Sequence, residues 1–268
     1  MASCVFISRS RTGIGYEDSY YVTILRNLAN AHRKDGNPKE AALLYARAAE
    51  TYRKTEGPTD EKTLSALNRQ LVCLDEAKDF EAAFELADKL LSLYGETDEE
   101  AISAINWYKA FWHEELHQYE SAAEILERLL CHSRMADNSD DLGLNLVHYG
   151  EVLLKLDRIF EAESVLRECL ALRRETIPEA WETANTESLL GECLTELEAF
   201  PDAITLLENA HKSLETKKLE IPTVVRNTRL AESAQRLVNL YLRLGNQENS
   251  AKWQIVLDGL KGEAKDDR

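Results

Sequence analysis

Along the chain an apolar or aromatic residue is followed three positions later by alanine: Phe80 and Ala83, Tyr119 and Ala122, Ile159 and Ala162, Phe200 and Ala203, with Pro38 and Ala41 a degenerate first copy. Four and seven residues past each alanine the chain is again small or apolar, as in Ala41/Tyr45/Ala48, Ala83/Ala87/Leu90, Ala122/Leu126/Leu129, Ala162/Leu166/Cys169 and Ala203/Leu207/Ala210. That spacing puts all three on one face of a helix. Twelve positions before each alanine stands another small or apolar residue, in turn Ala29, Leu71, Ala110, Gly150 and Gly191, within a second helical pattern. The pattern predicts paired helices that approach closely at these residues.

Successive alanines lie 42, 39, 40 and 41 residues apart, the length of a helix-turn-helix unit with its connection, and a weaker sixth unit follows 47 residues later at Ser250. Turn and helix-start signals fall between units at Gly57-Pro58-Thr59, Gly95-Glu96-Thr97, Ser139-Asp140, Ile177-Pro178 and Ile221-Pro222. The expected organisation is a flexible leader over 1–19, an all-α right-handed solenoid of five or six helix pairs over 20–260, and a polar tail over 261–268. The expected repeats are approximately 20–57, 60–95, 98–136, 139–176, 179–218 and 222–260. Two units depart from the pattern. The third places Asn106 and Lys109 where apolar residues belong, which shifts its expected register by one through a longer internal turn, and the sixth has Ser250 in place of alanine.

Composition agrees with long helices: 44% of residues are hydrophobic and 30% charged, with 11 Gly and 5 Pro in 268 residues. The net charge of −16 repels nucleic acid and anionic membrane over most of the surface, so neither is an expected partner. Cys4, Cys73, Cys131, Cys169 and Cys193 are far apart and form no Cys-x-x-Cys pair, which reads as free thiols in a reducing cytoplasm. The first 16 residues hold only the short apolar run Val5-Phe6-Ile7, without the long stretch of a signal peptide, and no later segment approaches the roughly 20 apolar residues that span a bilayer.

The order of small, aromatic and alanine positions resembles the tetratricopeptide repeat, whose signature runs W-x-x-L-G-x-x-Y, then A-x-x-x-F, and often ends in proline. Leu146-Val147-His148-Tyr149-Gly150 and Ser188-Leu189-Leu190-Gly191 carry the match. The period near 40, with Leu25-Arg26-Asn27-Leu28-Ala29 and Leu170-Ala171-Leu172-Arg173-Arg174-Glu175, is similar to the long repeats of kinesin light chains and related bacterial arrays. Residues 165–257 also resemble the C-terminal arrays of certain bacterial serine/threonine kinases, although the sequence has no kinase motif. The resemblance implies a scaffold or adaptor that binds a protein or peptide in a concave groove lined by the first helix of each pair. Its rival implication is an accessory sensor array of a kinase. In the register of the family the groove takes Arg26, Asn30 and Arg33 from the first repeat and Asn68, Val72 and Asp75 from the second. Trp107 and Phe111 enter from the third, and Glu151 and Glu192 make its downstream part acidic.

Arg26 and Asn30, four residues apart, can point the same way toward a carboxylate or a carbonyl. Related domains that clamp a carboxylate draw further basic groups from the third repeat, where this chain has Ala104 and Tyr108, so that clamp is incomplete. Trp107, Tyr108, Phe111 and Trp112 form an aromatic cluster that reads either as core or as a partner's anchor. His113-Glu114-Glu115-Leu116-His117 fits the His-Glu-x-x-His spacing of a zinc peptidase helix. It lacks a third ligand in a recognisable motif, and His117 falls where the helix should end. Thr12-Gly13-Ile14-Gly15 follows no strand and does not read as a phosphate loop. The expectation is a protein-binding array with neither catalytic residue, metal nor cofactor.

Overall fold

The computed structural model describes residues 16–95, 98–135 and 139–266. Among them twelve α-helices follow one another without a strand. The first pairs are α1 (Tyr16–Lys34) with α2 (Pro38–Thr55), α3 (Glu61–Glu76) with α4 (Phe80–Tyr94), and α5 (Glu99–Glu115) with α6 (Tyr119–Met135). The later pairs are α7 (Ser139–Lys155) with α8 (Ile159–Thr176), α9 (Trp181–Glu196) with α10 (Phe200–Thr216), and α11 (Thr223–Arg243) with α12 (Gln247–Asp266). The chain divides into two compact units, the first ending at Trp112 and the second starting at His113.

Of the leader expected over 1–19, residues 1–15 lie outside the described residues, as do the Val5-Phe6-Ile7 run, Cys4 and the Thr12–Gly15 segment. Helix α1 begins at Tyr16, inside that span, and α12 continues to Asp266, past Leu260 where the apolar pattern stops. Helix propensity accounts for the extension, since Lys261, Glu263, Ala264 and Lys265 are all good helix formers.

Every pair turns in the same way. Three residues separate the two helices in all six, and the middle one has positive φ: Gly36 (75°), Lys78 (54°), His117 (58°), Asp157 (58°), Glu198 (59°) and Gly245 (68°). The two amides at and after this residue bond back to the ending helix. Lys78 N–H reaches Asp75 C=O and Asp79 N–H reaches Leu74 C=O, and the same pair of bonds recurs at Gly36, His117, Asp157, Glu198 and Gly245. This is a Schellman cap, which satisfies carbonyls that the helix end leaves open. The residue after it opens the next helix by accepting from the amide of the repeat alanine, as in Asp79 to Ala83, Arg158 to Ala162 and Ala199 to Ala203. Turn and alanine are thus one device.

The repeat residues form the core. Ala41, Ala83, Ala122, Ala162 and Ala203 are fully buried, and Ser250 is buried in the sixth pair. Tyr45, Leu90, Leu126, Leu166 and Leu207 fill the layer behind them, each contributing about 1.5–3 kcal/mol by leaving water. Glycine is required where two helices meet most closely: a Cβ on Gly150 would fall 2.6 Å from Leu166 Cδ2, and one on Gly191 2.5 Å from Leu207 Cγ. The register shift expected in the third repeat does not occur. Its turn has the common three residues, Ala110 is buried in register, Asn106 is half-buried, and Lys109 Nζ reaches Asp88 Oδ1 of α4 at 2.7 Å. A salt bridge occupies the place where an apolar contact was expected.

Candidate peptide-binding surface

Position along each first helix is conveniently counted from its small contact residue. In the N-terminal unit Arg26, Asn68 and Trp107 lie three residues before it, Asn30, Val72 and Phe111 one after, and Arg33 and Asp75 four after. These spacings place them together along one helical face. Arg33, Asn68 and Val72 line one hollow of about 630 Å³, with Leu64, Arg69 and Tyr94 around them. Asn30 and Arg33 line a second of about 460 Å³. Arg26, Trp107 and Phe111 line neither.

The predicted donors differ in what they have left to give. Arg33 is already committed: its Nε and Nη2 hold the Glu76 carboxylate at 2.5–2.9 Å, and that bond raises the guanidinium pKa. Asn30 Oδ1 accepts from Tyr45 Oη at 2.7 Å, and Asn68 Nδ2 donates to Tyr94 Oη at 2.5 Å, so both amides are held in a fixed orientation. Asp75 accepts from Trp112 Nε1 at 2.7 Å and belongs to the wall of the core. Arg26 is exposed on α1, without an ion pair among the described residues. Arg69, exposed beside Asn68, is a second cation on this surface. Sequence reasoning passed it over, although it directly follows Asn68.

The aromatic cluster divides between the two roles it offered. Trp112 is fully buried, with the Phe84 ring edge-on at 5.2 Å. Trp107 and Phe111 stack on each other at 6.1 Å and 2°, both half-buried on the same face of α5.

In the C-terminal unit the expected acidic groove is neutralised from within. Glu151 on α7 accepts from Arg229 of α11 at 2.8 Å, and Glu192 on α9 accepts from Arg236 at 2.6 Å. Arg236 also reaches Ser188, and Arg243 pairs with Glu196. The three arginines stand seven residues apart on α11, a spacing visible in the sequence that points them along one side of the helix. Glu114, at the end of α5, stands in the same neighbourhood. Burial, reinforced by the charges of Glu151 and Glu115, pushes its carboxyl up to about 8, with Arg229 and Lys155 opposing. Burial likewise lowers the pKa of His148, whose Nδ1 is 3.7 Å from Glu151.

Helix α5 ends at Glu115, so His113 and His117 do not share the helix that the zinc-peptidase motif needs. His117 occupies the positive-φ place of the turn, with Nδ1 2.8 Å from Tyr119 Oη, while His113 Nδ1 lies 2.7 Å from Gln118 Oε1. Among the described residues no three His, Cys, Asp or Glu side chains are grouped as a metal would require. No helix there is long and apolar enough to cross a membrane.

Residues 20–96 match the tetratricopeptide repeat family model. Among solved structures, the tetratricopeptide-like repeats of a putative kinesin light chain from Podosopora anserina superpose with a TM-score of 0.62 at 15% identity, covering 78% of this chain and 100% of that one. BtubC (BKLC) from P. vanneervenii gives 0.61 at 15% identity over 93% and 90% of the two chains. The apo form of RapI gives 0.68 at 16% identity over 94% and 66%. Comparison of the sequence with curated proteins finds no match. Residues 20–96 are thus similar to tetratricopeptide repeats, and the described chain has the fold of an all-α repeat solenoid.

Proposed function

We propose that this chain is a protein-interaction module that holds a peptide or protein segment on the inner face of its N-terminal unit, as a scaffold in a reducing cytoplasm. The supporting observation is the pairing of preset amides with uncommitted cations: Asn30 and Asn68 are fixed by tyrosine hydroxyls, while Arg26 and Arg69 remain exposed nearby. Fixed donors lose little freedom on binding, and cations on a strongly acidic chain select a partner segment by its own negative charge. Trp107 and Phe111 add an apolar anchor, of the kind on which binding energy concentrates. The four described cysteines are all unpaired thiols, consistent with that compartment. Because Glu151 and Glu192 are paired to arginines, they give the groove no acidic end, and orientation of the segment rests on the N-terminal unit alone.

The test begins with capture of partners by the full chain and their identification by mass spectrometry, followed by calorimetric titration. Arg26→Glu should weaken binding by more than the ~0.5 kcal/mol usual for a surface substitution, with an unchanged melting temperature. Added salt should narrow the gap from wild type. If Arg26→Glu and Trp107→Ala both bind as wild type while folded, the inner face is not the recognition surface.

A further inference from the structure

Helix α12 buries Ser250, Leu257 and Leu260, with Trp253 half-buried among them. On the opposite side of the helix stands Ile255, 73% exposed, with Val256 38% exposed beside it. Ile255 lies five residues past the repeat position, where α4, α6, α8 and α10 carry Asp88, Glu127, Arg167 and Glu208. Two of these look onto the next repeat: Asp88 accepts from Lys109 of α5, and Glu208 accepts from Tyr241 Oη of α11 at 2.6 Å. The position is thus polar where a following helix covers it and apolar in α12, which no helix follows among the described residues. Adjoining apolar side chains left in water, unlike a lone surface residue, mark an interface.

A glycine on the same face is a separate sign. Gly259 lies one turn past Ile255 in the helix interior, where glycine costs about 1 kcal/mol relative to alanine. A Cβ there would meet nothing within 4 Å. Unlike Gly150 and Gly191, it makes no room for a neighbour within the chain.

The symmetry of this face identifies what covers it. Residues three and four to either side of Ile255 share its face: Lys252 and Asp258 at three, Ala251 and Gly259 at four, all of them exposed. When a second α12 lies antiparallel, with Ile255 meeting its equivalent on a two-fold axis, Ala251 falls against the partner's Gly259 and Lys252 opposite the partner's Asp258. Small residues on both sides let the helices approach closely, and opposite charges meet on both sides of the axis. A parallel pair in the same register would instead set lysine against lysine and aspartate against aspartate. Asp258 has the Gln254 amide at 2.9 Å as its partner within the chain and no cation, so the second copy supplies what it lacks. Lys252 also reaches Glu248 of its own helix at 2.8 Å.

We propose that α12 is the contact of a weak homodimer, in which two copies pair antiparallel about Ile255 with reciprocal ion pairs of Lys252 and Asp258. One helix per copy offers less than the ~800 Å² per partner of a standard interface, so the pair forms only at high concentration. The net charge of −16 on each copy opposes association at long range, and salt of about 0.15 M screens that repulsion beyond ~8 Å. A paired chain presents two inner faces, which strengthens the hold on a partner carrying two segments without any new contact. The dimer uses no residue of the inner face, and either proposal can fail without the other.

Sedimentation of the full chain in about 0.15 M salt, over roughly 10 μM to 1 mM protein, tests the proposal. The average mass should climb from 30.4 kDa toward twice that value. Ile255→Glu sets two carboxylates against each other on the axis and should weaken the dimer at least roughly tenfold, with helical circular dichroism unchanged. If the glutamate disturbs the helix, Ile255→Ser takes its place. Gly259→Leu, for which the chain itself has room, should keep or raise the melting temperature and still block pairing. Lys252→Glu and Asp258→Lys should each weaken the dimer, and the double variant should restore it, because every pair is then reversed. A monomer at every concentration overturns the proposal, and so does a dimer that the Ile255 or Gly259 variants leave intact. Weakening by both charge variants without recovery in the double overturns the antiparallel pairing.

Discussion

The inner faces of the two units are built on the same helix register and come out differently. Three residues before the contact residue, the N-terminal unit presents Arg26, Asn68 and Trp107, none of them buried, while the C-terminal unit has Val147 and Ser188, both buried, and Gln235, which is half-buried. One residue after, the N-terminal unit has Asn30, Val72 and Phe111 and the C-terminal unit Glu151, Glu192 and the exposed Asn239, and only the two glutamates are bound by arginines of α11. Arg229 spans from α11 to α7 across a whole repeat. A repeat backbone therefore supplies a concave position, and the side chains decide what it offers. In the C-terminal unit long arginines take up the glutamates, and removing either partner would strand a charge, while a hollow of about 530 Å³ lined by Glu192, Gln235, Arg236 and Asn239 stays open beside them. In the N-terminal unit short amides are tied to tyrosines, and Arg26 and Arg69 stay exposed.

The strongest disturbance of this comparison is a lesion confined to the C-terminal unit. Gly191→Leu forces a side chain into a place where even a Cβ would meet Leu207 Cγ at 2.5 Å, so α9 and α10 must part. The expected cost is about 1–3 kcal/mol, read as a lower melting temperature. Because each repeat is held by its neighbours, hydrogen exchange should accelerate first in α9 to α12 and leave α1 to α4 as in wild type. Uniform acceleration from end to end would show that the two units unfold as one.

A smaller effect separates the units by pH. Glu114 titrates near 4.5 in the unfolded chain and at about 8 in the folded one, where burial first and then Glu151 and Glu115 resist its charge. Below about 4.5 it is protonated in both states and contributes nothing. Between those values the folded chain keeps a proton that the unfolded chain releases, so stability falls as pH rises, and the loss is complete above about 8. Glu114→Gln removes the charge and should be the more stable protein at pH 8 by on the order of 1–3 kcal/mol, after allowing for its partial exposure, with no gain at pH 4. Urea denaturation at the two pH values measures it. Equal stability of variant and wild type at pH 8 would place Glu114 in water and remove it from the arginine-bridged cluster.

Much of the fold was legible because the pattern repeats: five alanines and their partners twelve residues upstream give the pairing without any single residue having to be decisive. The third repeat was misjudged because Lys109 looks polar in a list, whereas on α5 it is the partner of Asp88. The inner face was less legible, for a physical reason. Register says which residues point inward, but Glu151 and Glu192 read as a free acidic surface until α11 is brought beside them, 78 and 44 residues away in sequence from Arg229 and Arg236. Arg33 looked available for the same reason, since Glu76 lies 43 residues on. Local periodicity carries no information about such partners.

The smallest effect tests whether the units differ anywhere besides the inner face. Their turns are alike: Lys78 in the N-terminal unit has φ of 54° and Glu198 in the C-terminal unit 59°, where Gly36 and Gly245 occupy the same place in the end repeats. A non-glycine residue in this region is strained because its Cβ crowds the backbone, by roughly 1 kcal/mol, while glycine loses more chain entropy on folding. Strain outweighs entropy at a Schellman position, so Lys78→Gly and Glu198→Gly should each raise stability by about 0.5–1 kcal/mol. Both side chains are exposed, and neither lines the hollows described above. The two gains should be similar and should add in the double variant, being far apart in sequence and in different units. Matching gains would leave the arginine-bridged interior as the feature that distinguishes the units. A clear gain at Lys78 with none at Glu198 would mean that the arginine-bridged face also holds its turns, and that the contrast extends from side chains to backbone.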